Sequence, residues 1–152
     1  MKKTMIIILL IILIFNVACE FDNNSNEIEV PKKDLIEVSG KEKDIINRSE
    51  DLSDMVVELF GVDDATTIIL NNNALIGIIL ARDMELSEEL IDTITTTVKS
   101  NDNLIEDVKI TTNKNLFKEI DNIVTSLIGG DSYEKYLTKI NKIENKISKG
   151  KN

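Results

Sequence analysis

The fold is decided by GVDDATTIILNNNALIGIILA, Gly61–Ala81, which contains two predicted strands and the turn between them. Thr66–Leu70 and Ala74–Leu80 are rich in β-branched and aliphatic residues, a composition typical of strands. Asn71–Asn73 lies between them and predicts a hairpin loop, because Asn tolerates the left-handed backbone region. The second run is apolar on both faces, so we expect a central strand. Gly77 within it indicates close approach of a helix, a β-bulge or, alternatively, close approach of a ligand.

A helix is predicted on each side of the hairpin, and a third strand follows the second helix. The first helix covers at least Arg48–Phe60 and stops at Gly61, because its apolar residues recur at helical spacing. Ser87 is a suitable N-cap for the second helix, which Asn101–Asn103 ends. The third strand is predicted within Ile105–Thr112. Its apolar face holds Val108 and Ile110, and its exposed face holds Lys109 and Thr111.

This order predicts an α+β fold, a helix-strand-strand-helix-strand sandwich with helices on one face of a small three-stranded sheet. Two C-terminal helices complete it. The first has an apolar face from Leu116 to Ile128 and stops at Gly129. The second begins at Asp131 or Ser132. We therefore predict an α+β domain over residues 41–130 and a basic amphipathic helix over 131–152.

The N-terminus has the pattern of an exported lipoprotein. A short basic start precedes Met5–Phe15, an unbroken apolar run of 11 residues, as in a secretory signal peptide over residues 1–18. The run is too short to cross a bilayer, which takes about 20 residues. Ala18-Cys19 resembles the end of the bacterial lipobox, although Asn16 departs from its usual aliphatic residue. The resemblance implies lipidation of Cys19, which becomes the mature N-terminus.

A polar linker is predicted over residues 19–40. It contains Asn23, Asn24 and the only proline, Pro31, and it shows no sustained helical or strand period. As a coil it would hold the domain about 25 Å from the lipid on average.

Charge is unevenly distributed along the chain. The total is −9. From Tyr133 onward, six lysines and two glutamates give +4, and Lys2 and Lys3 add +2, so Glu20–Ser132 carries −15. Such an acidic body repels nucleic acid, because protein affinity for nucleic acid rests on phosphate neutralisation. We therefore expect no nucleic-acid partner.

The C-terminal helix carries a lysine stripe with steps of 4, 3, 4 and 3 residues: Lys135, Lys139, Lys142, Lys146 and Lys149. Three interpretations remain open at this level. The stripe is a solvated face, it docks on the acidic body, or it contacts an anionic membrane or a partner.

No sequence pattern indicates catalysis, a metal site or a cofactor. The chain has no His, and its single Cys excludes an internal disulfide. Phosphate loops, nucleophile elbows and Cys/His metal spacings are missing from the sequence. Asp63-Asp64, Glu88-Glu89 and Glu106-Asp107 are sequence neighbours whose side chains point in different directions. We interpret Asp63-Asp64 as a solvated turn and assign no catalytic, cofactor-binding or metal residues.

The pattern over Arg48–Ile147 resembles the sporulation lipoprotein family YhcN/YlaJ of endospore-forming Firmicutes. Several segments carry the resemblance: Gly61-Val62, Asn73-Ala74, Ile76-Gly77-Ile78, Glu89-Leu90 and Val98-Lys99. Leu75 and Asn103 depart from residues common in the family. The resemblance implies an exported protein anchored by lipid to the outer face of the cell membrane, or of the spore membrane, with a role in germination or outgrowth.

Three functions remain open from the sequence. The first is a non-enzymatic membrane protein that binds other envelope or spore proteins, or itself. The second is a general cell-envelope lipoprotein whose domain binds lipid through the lysine stripe. The third is a small hydrolase accessory with an unrecognised site.

Overall fold

The computed structural model describes residues 40–150. The predicted signal peptide (1–18), Cys19 and the linker up to Ser39 lie outside these residues. Gly40, the last residue of the predicted linker, is the first residue of a helix.

Eight elements follow one another along the described chain, and their order confirms the predicted α+β class. They are α1 (Gly40–Val57), β1 (Val62–Leu70), β2 (Asn73–Leu80), α2 (Glu88–Asn101), β3 (Asp107–Thr111), α3 (Lys114–Ile128), a 3-10 turn (Tyr133–Tyr136) and α4 (Leu137–Ser148).

The sheet has the order β1-β2-β3, so β2 is the central strand, as predicted. β1 and β2 form the antiparallel hairpin, with Ile68 opposite Leu75. β3 runs parallel to β2, with Ile110 opposite Ile76. A parallel pair needs a crossover, and α2 supplies it.

The hairpin turn is one residue shorter than predicted. Asn71 and Asn72 have φ of 48° and 66°, which is the pattern of a two-residue type I′ turn. Asn73 already belongs to β2 and pairs with Leu70. The side-chain amide of Asn73 donates to the carboxylate of Glu144 in α4 at 3.0 Å. This tertiary contact helps to hold the third asparagine in the strand.

Two boundaries near the start of the sheet differ from the prediction. α1 ends at Val57, and Phe60 lies beyond it with 89% of its surface exposed, although the prediction extended the helix to Phe60. β1 begins at Val62, so Asp63 and Asp64 lie in an exposed part of a strand and not in a turn. The register shifts between Val62 and Asp64, as in a β-bulge. Asp63 and Asp64 do not alternate with apolar residues, so the sequence pattern does not indicate a strand at these positions.

The sheet separates two apolar cores, one on each face. The strands alternate their side chains, so successive residues of β1 and β2 enter different cores. On one face Ile68 and Leu75 pack with α3, the 3-10 turn and α4. On the other face Ile69 and Ile76 pack with α1 and α2. The C-terminal helices therefore form a second helical layer, whose position relative to the sheet the sequence had left open.

Helix α1 contributes to both cores, because Ile46 joins the core with α3 and α4 while Leu52 and Val56 join the other. It therefore passes beside the edge strand β1. At the same edge the hydroxyl of Tyr133 donates to the carbonyl oxygen of Ile69 at 2.5 Å. Burial raises the pKa of Tyr133 to about 12, so the phenol stays a donor across the physiological range. An edge covered in this way is closed to further strand pairing.

The second face of β3 is not exposed, contrary to the prediction. Thr111 is fully buried, and Lys109 is half-buried. Lys109 forms an ion pair with Glu144 of α4 at 2.7 Å, so the polar face of β3 lies under that helix. The charge of Lys109 led to the prediction of a solvent-exposed position. The prediction is wrong because the ion-pair partner that allows its burial lies 35 residues further along the chain.

Gly77 allows α3 to approach the centre of the sheet. A Cβ atom at this position would lie 3.0 Å from Cα of Phe117 and 3.2 Å from its ring. Backbone cannot move away as a flexible side chain can, so the position has no room for a methyl group. Of the three predicted roles for Gly77, the structure therefore supports helix approach.

We expect Gly77→Ala to lower the free energy of unfolding by about 1–3 kcal/mol, because overpacking forces α3 off the sheet. Gly40→Ala is the matched control, because its Cβ would meet no atom of the other described residues within 4 Å. Denaturant titration of both variants measures the difference. Equal stability of the Gly77→Ala variant and the native chain would contradict the packing argument.

Candidate functional site

The predicted lysine stripe is the main candidate site, and the structure places it along one flank of the C-terminal segment. Lys135 lies in the 3-10 turn, Lys139, Lys142 and Lys146 in α4, and Lys149 at its C-cap. The buried face of α4 is formed by Ile140, Ile143 and Ile147. Because these isoleucines belong to a closed core, the direction in which the lysines point is fixed by packing.

Two of the five lysines are engaged within their own layer. Nζ of Lys135 lies 2.7 Å from Oδ2 of Asp131 and 5.3 Å from the ring centroid of Tyr136. The hydrogen bond to Asp131 raises the pKa of Lys135 above its usual range. Nζ of Lys146 lies 2.9 Å from Oε1 of Glu119 on α3. The interpretation that the stripe docks on the acidic body therefore holds for these two residues, at short range.

The other three lysines, Lys139, Lys142 and Lys149, are exposed. Within residues 40–150 none of them forms an ion pair. A row of three exposed charges on a rigid helix can bind an anionic surface at little cost in ordering the backbone. We call these three residues the lysine flank.

A polar contact on the inner side of α4 holds the helix in register, and the sequence did not identify it. Oε1 of Glu144 accepts from Lys109 of β3 at 2.7 Å and from the amide of Asn73 at 3.0 Å. The hydrogen bond from Lys109 is the main reason that the pKa of Glu144 lies below its usual range. The side chains of Lys109 and Glu144 are only 23% and 19% exposed, so solvent screens the pair less than a surface pair.

A cavity of about 750 Å³ lies beside the hairpin turn, and its lining includes Lys41, Asn72 and Glu134. Glu42 in its wall accepts hydrogen bonds from the hydroxyl of Ser132 and the backbone N–H of Tyr133. This carboxylate therefore joins α1 to the 3-10 turn. The lining mixes cations, anions and amides without a dominant chemistry.

The three carboxylate pairs stay apart in the fold. Asp63-Asp64 lies in β1, Glu88-Glu89 opens α2, and Glu106-Asp107 precedes and begins β3. Glu106 accepts from the amide of Asn72 at 3.2 Å. Over Gly40–Gly150, no group of three or more His, Cys, Asp or Glu side chains could hold a metal ion.

We expect Glu144→Gln to lower the free energy of unfolding at neutral pH by about 1 kcal/mol, because the charged partner of Lys109 is lost. The native pKa of Glu144 is lowered, so this stabilisation is present above the unfolded-state pKa. It is lost as pH falls through the lowered native value. Denaturant titrations across the acid range measure the difference between the two proteins, which should shrink as pH falls.

Glu134→Gln is the control for this experiment, because it removes an exposed carboxylate that forms no ion pair with any described residue. It should change stability by less than about 0.5 kcal/mol. A difference between Glu144→Gln and the native chain that does not vary with pH would refute the role of the ion pair.

Comparison with known proteins identifies the family. The profile of the family described as Sporulation lipoprotein YhcN/YlaJ matches residues 21–148, which is most of the chain. A search of curated proteins with this chain found no match. None of the helices between Gly40 and Gly150 is long and apolar enough to cross a membrane. The match covers both cores and all three strands, and the chain belongs to the sporulation lipoprotein family YhcN/YlaJ.

Proposed function

We propose that this chain is a non-enzymatic component of the spore membrane or envelope that binds other proteins and contributes to germination or outgrowth. Lipid on Cys19 would hold it at the outer face of the membrane. The linker would leave the folded domain free to meet partners. Membership of a sporulation lipoprotein family supports the setting, and the surface of the domain supports the mode of action.

The lysine flank is the observation that carries the proposal. Lys139, Lys142 and Lys149 stand on a helix seated by three buried isoleucines and by the Glu144–Lys109 ion pair. A flexible basic tail would bind anionic surfaces without regard to shape. A row fixed on a folded domain favours a partner with charges at matching spacing, and proteins offer such surfaces.

The anchor decides where this surface acts. A single acyl chain binds a membrane only marginally, whereas two or more hold a protein firmly. A multiply acylated Cys19 would therefore keep an acidic body at a membrane surface that otherwise repels it. Confinement to a surface also raises the effective concentration of the domain toward partners in the same membrane.

We expect Cys19→Ala to reduce the amount of the protein in the membrane fraction of sporulating cells by at least about tenfold, because no acyl chains can be attached. Spores that carry this variant should germinate or grow out as slowly as spores that lack the protein. Fractionation and the loss of optical density after a germinant measure the two effects.

Asn16→Leu is the matched control, since it changes the same signal and keeps the cysteine. It should remain in the membrane fraction. Firm membrane binding of the Cys19→Ala variant would overturn the anchor. Normal germination and outgrowth of spores without the protein would overturn the proposed role.

A second candidate function follows from the same lysines. They could bind the anionic surface of a bilayer directly, which would make the domain a lipid-binding module of the general cell envelope. Each lysine near such a surface contributes about 1 kcal/mol. Three lysines can therefore produce measurable binding without any protein partner.

Vesicle binding by a domain that begins at Lys32 separates the two functions. For a protein-binding domain we expect no more binding to phosphatidylglycerol vesicles than to phosphatidylcholine vesicles. The lipid-binding alternative requires binding that salt weakens and that reversal of the lysine flank to Glu reduces roughly 100-fold. The control reverses the same number of exposed lysines elsewhere: Lys41, Lys43 and Lys99.

A further inference from the structure

The two helical layers of the domain carry opposite charge on their exposed surfaces. α1 and α2 together carry seven exposed carboxylates but only three exposed lysines. The carboxylates are Asp44, Glu50, Asp51, Asp54, Glu88, Glu89 and Asp92. α3, the 3-10 turn and α4 together carry five exposed lysines but only two exposed carboxylates, Asp121 and Glu134. Lys149, just after α4, adds another exposed lysine to this layer.

The fold keeps these charges apart. α2 packs on one face of the sheet, and α3 and α4 pack on the other. α1 passes from one core to the other at the β1 edge, but Asp51 and Asp54 lie on its second half, beside Leu52 and Val56 of the α2 core. The sheet therefore stands between the lysine flank and the carboxylates of α2 and of the second half of α1, whereas Asp44 on the first half of α1 lines the cavity that Glu134 also lines. Lys135 and Lys146 show how lysines on this segment bind when a carboxylate is within reach, at 2.7 and 2.9 Å.

We infer that the partner of the lysine flank is a second copy of this chain. The flank of one copy docks on the acidic layer formed by α1 and α2 of the next. This inference rests on the proposed function and names its partner. The acidic layer offers exposed carboxylates on two helices, and the lysine flank is the basic surface that complements it. Lys139, Lys142 and Lys149 thereby gain the carboxylate partners that they lack among residues 40–150 of their own molecule.

The contact is head-to-tail, because the two surfaces that meet are different. Each pair of copies leaves one lysine flank and one acidic layer unused. Further copies can therefore add in the same orientation. Exposed ion pairs are individually weak, so association depends on several pairs together and on the high effective concentration of anchored copies. Long-range attraction between the oppositely charged surfaces of two copies also favours this orientation over others.

Photo-cross-linking of the full chain in its own membrane tests the contact. A photoreactive residue replaces Asn145, which is exposed on α4 three residues after Lys142 and four before Lys149. We expect a product of twice the monomer mass. Raising the salt concentration before irradiation from about 0.05 to 0.5 M should reduce that product severalfold, because salt screens exposed charges. A product insensitive to salt would overturn the inference without the use of any charge variant.

Charge reversal identifies the two surfaces. The basic variant reverses the lysine flank: Lys139→Glu, Lys142→Glu and Lys149→Glu. The acidic variant reverses three exposed carboxylates that lie outside the first turns of their helices: Asp51→Lys, Asp54→Lys and Asp92→Lys. Each variant alone should lose at least fivefold of the cross-linked product. Co-expression of the two should restore it, because the native flank of the acidic variant then meets the native layer of the basic variant, and the reversed flank meets the reversed layer.

The outcomes separate the alternatives. Loss of product in the basic variant with no loss in the acidic variant would overturn the inference and indicate anionic lipid or another protein at the flank. Rescue requires that both variants fold, so it excludes misfolding as the cause of the losses. Normal germination of spores without the protein would overturn the proposed function, while salt-sensitive, rescued cross-linking would still establish the contact between copies.

Discussion

Burial of the central strand β2 on both faces is the constraint on which the rest of the structure depends. Ala74, Ile76 and Ile78 enter one core, and Leu75 enters the other. Every one of these residues is less than 1% exposed, so neither face can be left to water. One helical layer cannot satisfy such a strand. The C-terminal helices are therefore part of the same folding unit as the hairpin, and Gly77 lets α3 approach closely enough to close the second core.

The second layer also determines the surface that the domain offers. α4 must turn Ile140, Ile143 and Ile147 inward, and Glu144 must reach Lys109 and Asn73. These contacts leave one rotation of the helix about its axis, in which the lysine flank faces outward. Packing thus converts a periodic sequence pattern into a fixed row of charges, with the sheet between that row and the carboxylates of α2 and of the second half of α1.

The family, the proposed anchor and the charged layers support one description of the protein. A sporulation lipoprotein held by Cys19 would act where copies are crowded, and weak charged contacts become effective under crowding. The mixed lining of the cavity beside the hairpin turn does not point to a reaction, and Glu42 in that lining serves to join two elements. The activity that we propose is therefore association.

Local patterns in the sequence were sufficient to predict the α+β class, the central position of β2, the Ser87 cap and the family, because these depend on local periodicity and on residue types at fixed spacing. The sequence did not predict boundaries where the local pattern is weak, such as Val62–Asp64 in β1 and the end of α1. Three outcomes became clear from the folded chain alone: the face that α3 and α4 cover, the position of Lys109 under α4, and the lysines of the stripe that remain exposed. Those outcomes depend on contacts between residues far apart in the chain, such as Lys109 with Glu144 and Glu119 with Lys146, and no local pattern encodes such a partner.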